Sequence, residues 1–265
     1  MLSDDVATDL LTNGRIEVRG RLVEASNATL FCSVEHDGVS ADCVYKPVRG
    51  ERPLWDFPDG TLAGREVAAY LLSEEGGWHL VPPTVWRADG PFGAGMLQLW
   101  VNTEQEDSGL VDVLSPEDVP HDWLTVLHAQ DERGAPLVLA HADHAELRRL
   151  AVLDVVLNNA DRKGGHVLRT PRGEVFGIDH GVSLNADDKL RTVLWGWLGR
   201  ELDESAVERL TGLRKRLDGS FAAALAEYVT PKEIQAVADR IDRLLQQGVL
   251  PAPSGEWPAI PWPPF

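Results

Sequence analysis

The chain has 265 residues, 43% of them hydrophobic, and a formal net charge of −17. That much apolar content fills a real core, as one large domain or two lobes. The acidic balance argues against nucleic acid and an anionic membrane surface as default partners, since both attract basic proteins. The start, Met1-Leu2-Ser3-Asp4-Asp5, carries neither a basic stretch nor an apolar run, so no secretory leader is expected. The apolar run at 151–157 is broken by Asp154 and too short to span a bilayer. Cys32 and Cys43 both fall in strand-like runs. Buried free thiols in a cytoplasmic protein are the expected state, with a cross-strand disulfide as the other option.

Along the chain, residues 1–101 read as a β-rich lobe with one helix. Strand-like runs at 15–24 and 29–36 flank the turn Ala25-Ser26-Asn27-Ala28, and a third run covers 41–46. A Pro-bearing loop follows, with an exposed-looking Trp55. Residues 61–72 then place Ala63, Val67, Tyr70 and Leu71 at helical spacing, with Glu66 beside that stripe. Strands are expected at 84–87 and 96–101. Residues 102–250 read as mostly helical. Ser115-Pro116 looks like a helix start, and a helix at 143–157 leads into a polar loop. Residues 201–217 carry one apolar face, and Thr230-Pro231-Lys232-Glu233 is a capping box opening the last helix. The tail, 251–265, is rich in Pro and Trp and without periodicity; it is expected to lie as an extended strap, because its aromatics are poor residues to leave in water.

The chemistry concentrates in two acidic segments, Asn159-Ala160-Asp161-Arg162-Lys163-Gly164-Gly165-His166 and Gly177-Ile178-Asp179-His180-Gly181. Between them, 167–169 and 174–176 flank Thr170-Pro171-Arg172-Gly173 and read as a β-hairpin. Phosphoryl transfer needs one carboxylate to orient an attacking hydroxyl and another to hold a divalent ion on the nucleotide, and a loop followed by an Asp-containing turn is the kinase arrangement. Upstream, Lys46 ends a strand and Glu66 lies on the next helix, the order in which kinases place an ammonium on the α/β-phosphates. Ser26 and Asn27, at a hairpin tip, offer backbone amides to phosphate oxygens without any G-x-G-x-x-G pattern. His166 falls five residues after Asp161, where the kinase loop carries a metal-binding Asn.

On Tyr45-Lys46-Pro47, Arg65-Glu66, Gln98-Leu99-Trp100-Val101 and the two acidic segments, the chain resembles the phosphatidylinositol 3-/4-kinase superfamily. The likeness is strongest to the type II phosphatidylinositol 4-kinase branch and to an actinobacterial-type group of kinase-like proteins. The resemblance implies an α+β, two-lobed protein-kinase-like fold, with a β-rich N-lobe and a mostly helical C-lobe. It also implies ATP and Mg²⁺ (or Mn²⁺) as cofactors. Lys46 would contact the phosphates and Glu66 pair with it. Gln98, Leu99 and Val101 would form the adenine-binding hinge, Asp161 be the catalytic-loop Asp, and Asp179 the metal-binding Asp. His166 departs from the family's Asn, and the cysteine-rich palmitoylation segment of type II lipid kinases is missing.

The expected activity is transfer of the γ-phosphate to an alcohol acceptor: a lipid, an inositol-like metabolite or a protein side chain. Asp161 orients the hydroxyl, Arg162 or Lys163 meets the developing charge, and Asp179 with His166 holds the metal. The partners are thus a nucleotide and a hydroxyl-bearing substrate, with no nucleic acid and no integral membrane segment; the oligomeric state is left open. The alternatives are a nucleotide-binding pseudokinase or regulatory module, motivated by His166, and AMP transfer on a kinase fold. His141, His144, His166 and His180 come without cysteine pairs and are not expected to form a zinc site. The nine tryptophans are read as packing residues.

Overall fold

The computed structural model describes residues 2–22, 28–103 and 108–265. It opens on a helix that the sequence reading did not foresee, α1 (Asp4–Asn13). Five strands then form an antiparallel sheet in the order β1-β2-β3-β5-β4: β1 (Arg15–Arg21), β2 (Leu30–His36), β3 (Val39–Pro47), β4 (Thr84–Arg87) and β5 (Gly95–Leu99). Asp37 and Gly38, both at positive φ (48° and 77°), close the two-residue β2–β3 hairpin, whose mirror-image turn matches the twist of the strands. Side chains alternate across β3, so Cys43 and Tyr45 turn into the core shared with Leu10 and Leu11 of α1. Lys46 then points to the opposite face of the sheet. Cys32 and Cys43 stand directly opposite each other as buried free thiols.

The helix α2 (Leu62–Glu75) is inserted between β3 and β4. Thr61 caps it, its Oγ1 accepting from the Gly64 amide at 2.9 Å, and the Glu51 carboxylate accepts from the Leu62 and Ala63 amides. These bonds satisfy amides that have no partner inside the helix. Ala68, Ala69 and Leu72 reach across to the larger core, which also holds Leu147, Leu153, Leu213 and Ile241. The helix thus joins the sheet to the helical part of the chain.

Beyond residue 101 the expectation of mostly helix needs one correction. Here β6 (Val111–Leu114), β7 (Trp123–Gln130) and β8 (Pro136–Ala142) form a second antiparallel sheet, ordered β6-β8-β7. The expected helix start at Ser115-Pro116 is a single 3₁₀ turn, Pro116–Asp118. The helices α3 (Ala145–Leu157), α4 (Glu204–Leu217), α5 (Ser220–Leu225) and α6 (Pro231–Gln247) follow, with the short hairpin β9 (Val167–Arg169) and β10 (Val175–Gly177) after α3. The capping box at α6 is complete: Thr230 Oγ1 accepts from the Glu233 amide, and Glu233 accepts from the Thr230 amide. Glu233 also takes a buried ion pair from Arg65 at 2.6 Å, which ties α2 to α6. No described helix is long and apolar enough to cross a membrane.

Candidate active site

Lys46 sits at the centre of the site. Its Nζ lies 2.6 Å from Glu66 Oε1 and 2.7 Å from Asp179 Oδ1. The other oxygen of Glu66 accepts from the backbone amide of His180 at 2.8 Å, so β3, α2 and the turn after β10 meet at one carboxylate. Burial opposes the Lys46 charge, but Asp179 and Glu66 outweigh it and raise its pKa. Burial also raises the pKa of Glu66, against the pull of Lys46. Lys46 holds the Asp179 carboxyl below its ordinary range. Asp179 has φ 62°, a left-handed conformation that Asp tolerates better than most residues. Lys46, Glu66, Asp161 and Asp179 line one cleft of about 520 Å³, counted with the open solvent at its mouth.

The loop after α3 begins at Asn158 (φ 52°), the left-handed C-cap of that helix. Asn159 Oδ1 accepts from the Asp161 amide at 3.0 Å and so sets the direction of the loop. The Asp161 side chain is about one-third exposed (31%), with Lys163 Nζ 3.9 Å away. Burial raises its pKa. His166 Nδ1 lies 3.0 Å from the Asp161 carbonyl. A carbonyl only accepts, so the hydrogen of a neutral ring belongs on Nδ1. That leaves the Nε2 lone pair facing Asp179 Oδ2 at 3.3 Å. Burial lowers the His166 pKa to about 4, so the ring is neutral at pH 7 and two acceptors confront each other. Such a pair is suited to a shared cation. An imidazole with a carboxylate fits Mn²⁺ readily, whereas Mg²⁺ prefers an all-oxygen set.

Arg162 departs from the sequence reading. It is fully buried and spends its guanidinium on structure: Nε and Nη2 pair with Asp154 of α3 at 2.9 Å. Its Nη1 donates to the carbonyls of His166 and Ile178, and its Nη2 lies 2.7 Å from His180 Nε2. It therefore does not reach into the cleft, and Lys163 is the cation beside Asp161. The hinge run is also partly committed. Gln98 Nε2 donates to Thr84 Oγ1, the Leu99 amide to the Pro83 carbonyl, and the Trp100 amide to the Asp42 carbonyl. Val101 is buried next to them. Ser26 and Asn27 lie outside the described residues.

Two contributors escaped the sequence reading. Glu51 reaches the cleft from a Pro-bearing loop with no periodicity to mark it. His180 holds Glu66 through its amide and Arg162 through its ring; its only signal was its place directly after Asp179. His141 is on β8, where its Nε2 accepts from the Gly196 amide at 3.0 Å. The chain's last described residues close over the loop. The Pro264 carbonyl accepts from the Gly164 amide at 2.8 Å, and a Cβ on Gly164 would fall 2.2 Å from the Phe265 ring.

A β-sheet-rich part carrying Lys46, joined through α2 to a helical part carrying Asp161, defines a protein-kinase-like fold. Solved structures agree. The crystal structure of the Golgi casein kinase matches with a TM-score of 0.51 at 13% identity, covering 92% of this chain and 74% of that one. The Golgi casein kinase with Mn/ADP bound matches at 0.54 and 14%, covering 92% and 75%. Hydra Fam20 with sugar matches at 0.53 and 13%, covering 93% and 89%. No protein-family profile matches the sequence. Protein Rv2133c of Mycobacterium tuberculosis (strain ATCC 25618 / H37Rv) is 50% identical over 264 residues, 97% of this chain and 94% of that protein. The chain belongs to the same family as Rv2133c.

Proposed function

We propose that this protein is an ATP-dependent phosphotransferase acting on an alcohol acceptor. The observation that carries the reading is Lys46 held between Glu66 and Asp179, with Asp161 in the same cleft. In this reading Lys46 engages the nucleotide phosphates and Glu66 keeps its ammonium in place. Adenine sits against the run at 98–101, and the tip bearing Ser26 and Asn27 covers the phosphates. Asp161 accepts the hydrogen bond of the substrate hydroxyl and aims its oxygen in line with the γ-phosphate. Lys163 lies near the charge that develops there. Asp179 and His166 are the residues that would hold a divalent ion, Mn²⁺ or Mg²⁺, whose contribution is to neutralise phosphate charge. The Golgi casein kinase structure with Mn/ADP bound supports a nucleotide with a divalent ion as the cofactors.

The resemblance to phosphatidylinositol kinases offers an inositol-type or lipid hydroxyl as acceptor, and the similarity to the Golgi casein kinase and to sugar-bound hydra Fam20 offers protein and sugar hydroxyls. A cytoplasmic location is part of the proposal, on the strength of the facing free thiols Cys32 and Cys43.

The test is incubation with ATP labelled at the γ- or the α-phosphate, with Mg²⁺ or Mn²⁺, in the wild type and in Asp179→Asn. Release or transfer of γ-label that disappears in the variant supports the proposal. Incorporation of α-label assigns AMP transfer instead. ATP binding with neither label moved assigns a pseudokinase. Turnover unchanged in Asp179→Asn removes the metal assignment.

A further inference from the structure

A second cleft, away from Lys46 and Asp161, lies between α3, α6, the segment 188–195 and the start of the tail. It measures about 520 Å³ with the open solvent at its mouth counted in. Val155, Leu190, Trp195, Leu244 and Pro251 make its walls apolar. Arg240 lines it as well. This side chain is buried (5% exposed) and anchored from behind, with Nε donating to the Val156 carbonyl at 3.0 Å and Nη1 to the Asn185 carbonyl at 3.2 Å. Its Nη2 is buried and has no hydrogen-bond partner among the described residues. Burial lowers the Arg240 pKa to about 10, still far above neutrality, so the unpaired group carries charge. At the rim, Arg243 is matched by Asp188 at 2.9 Å; Asp188, Asp239 and Glu233 are near enough to favour the Arg240 charge, but none forms an ion pair with it among the described residues.

A buried guanidinium with one unpaired nitrogen beside an apolar cleft is costly unless something supplies an acceptor. We infer that this cleft binds a small amphipathic anion, an aromatic or short-chain aliphatic carboxylate. Its carboxylate would meet the Arg240 guanidinium, and its body would lie along Trp195, Leu244 and Pro251. A guanidinium–carboxylate bond in a dry site supplies both the strength and the discrimination against a neutral analogue. Asn158 borders the same cleft. It holds the carbonyls of Asn185 and Asp187 and the amide of Lys189, and it immediately precedes Asn159, which seats Asp161. The site therefore sits behind the loop of the candidate active site, and its existence does not depend on the kinase reading.

Calorimetric titration of the full chain with 3-phenylpropionate and octanoate, each beside its own neutral amide, tests this. At least one acid is expected to bind about tenfold or more tightly than its amide, the discrimination of a charged hydrogen bond. Arg240→Met is expected to erase that preference. Because it also takes away the donor that holds the Val156 carbonyl, Gln247→Trp, which adds bulk at the exposed rim, is the companion variant. It is expected to fold with the wild-type circular dichroism spectrum and to lose the acid. No binding by either acid up to millimolar concentration, equal binding of acid and amide, or binding undiminished in a folded Gln247→Trp protein each overturns the inference.

Discussion

Replacing Lys46 by Met removes one cation from two carboxylates of very different burial. Glu66 is 2% exposed and Asp179 49% exposed. An exposed ion pair contributes about 0–1 kcal/mol, whereas a buried charge stripped of its partner costs about 3–5 kcal/mol. Nearly all of the expected loss, about 3–5 kcal/mol, therefore comes from Glu66. It carries a pH signature. Glu66 already has a raised pKa from burial, and without Lys46 that pKa rises further above the unfolded value. A carboxyl with a raised folded pKa penalises the native state above that pKa and ceases to do so once protonated, so the deficit shrinks as pH falls. Urea unfolding at about pH 8 and about pH 5, with linear extrapolation, reads both effects. Adding Glu66→Gln to Lys46→Met is expected to recover more than about 1 kcal/mol at the higher pH, since it removes the stranded charge. A loss under about 1 kcal/mol, equal at both pH values and unaffected by the second substitution, would refute the placement of Lys46 as the counter-ion of Glu66.

Asp161→Asn keeps the shape of the loop but removes the acceptor. Phosphoryl transfer is expected to fall about 10²-fold or more with ATP affinity unchanged, and an equal loss of affinity would mean Asp161 serves binding instead. Asp154→Asn strands the fully buried Arg162 and should cost about 3–5 kcal/mol. Lys163→Ala, whose ion pair is long and partly exposed, should move thermal stability by about 0.5 kcal/mol or less; similar melting losses in the two variants would contradict the roles given to Arg162 and Lys163. His141 is fully buried, with Nδ1 on the Ala142 carbonyl and Nε2 accepting from the Gly196 amide, and burial lowers its pKa to about 4. The unfolded chain therefore binds the extra proton first, and stability present above about pH 6.5 is lost as pH falls toward about 4, by up to about 3 kcal/mol from this residue. His141→Gln is expected to flatten the melting-temperature slope over that window, and an unaltered slope would assign the acid sensitivity elsewhere.

The sequence was most legible where local chemistry decides the structure. Thr230 and Glu233 announce a capping box within four residues, and the box forms. Lys46 and Glu66 were placed by their order on a strand and the following helix, and they meet at 2.6 Å. Other features depend on partners far along the chain. Arg162 read as a cation near the substrate because nothing local shows that Asp154, a buried carboxylate of α3, claims it. The amide of Leu99 is similarly taken by Pro83, a contact only the folded sheet creates. The second sheet was missed because β7 exposes polar Thr125 and His128 and shows no clear alternation. The first helix did have a local signal, Ser3 before Asp4 and Asp5 with Ala7, Leu10 and Leu11 at helical spacing.

Arg162 also governs what can move. It clasps the carbonyls of His166 and Ile178 and the ring of His180, while its other bonds root it in α3. Asp161 and Asp179 are thereby mounted on one hydrogen-bonded plate. The bonds that cross from that plate to the sheet and α2 include Lys46 to Asp179 and Glu66 to the His180 amide. Opening of the cleft would strain those two first. A nucleotide that draws Lys46 toward its phosphates would loosen the Asp179 half of that clasp, so filling the cleft and freeing the jaw become the same event.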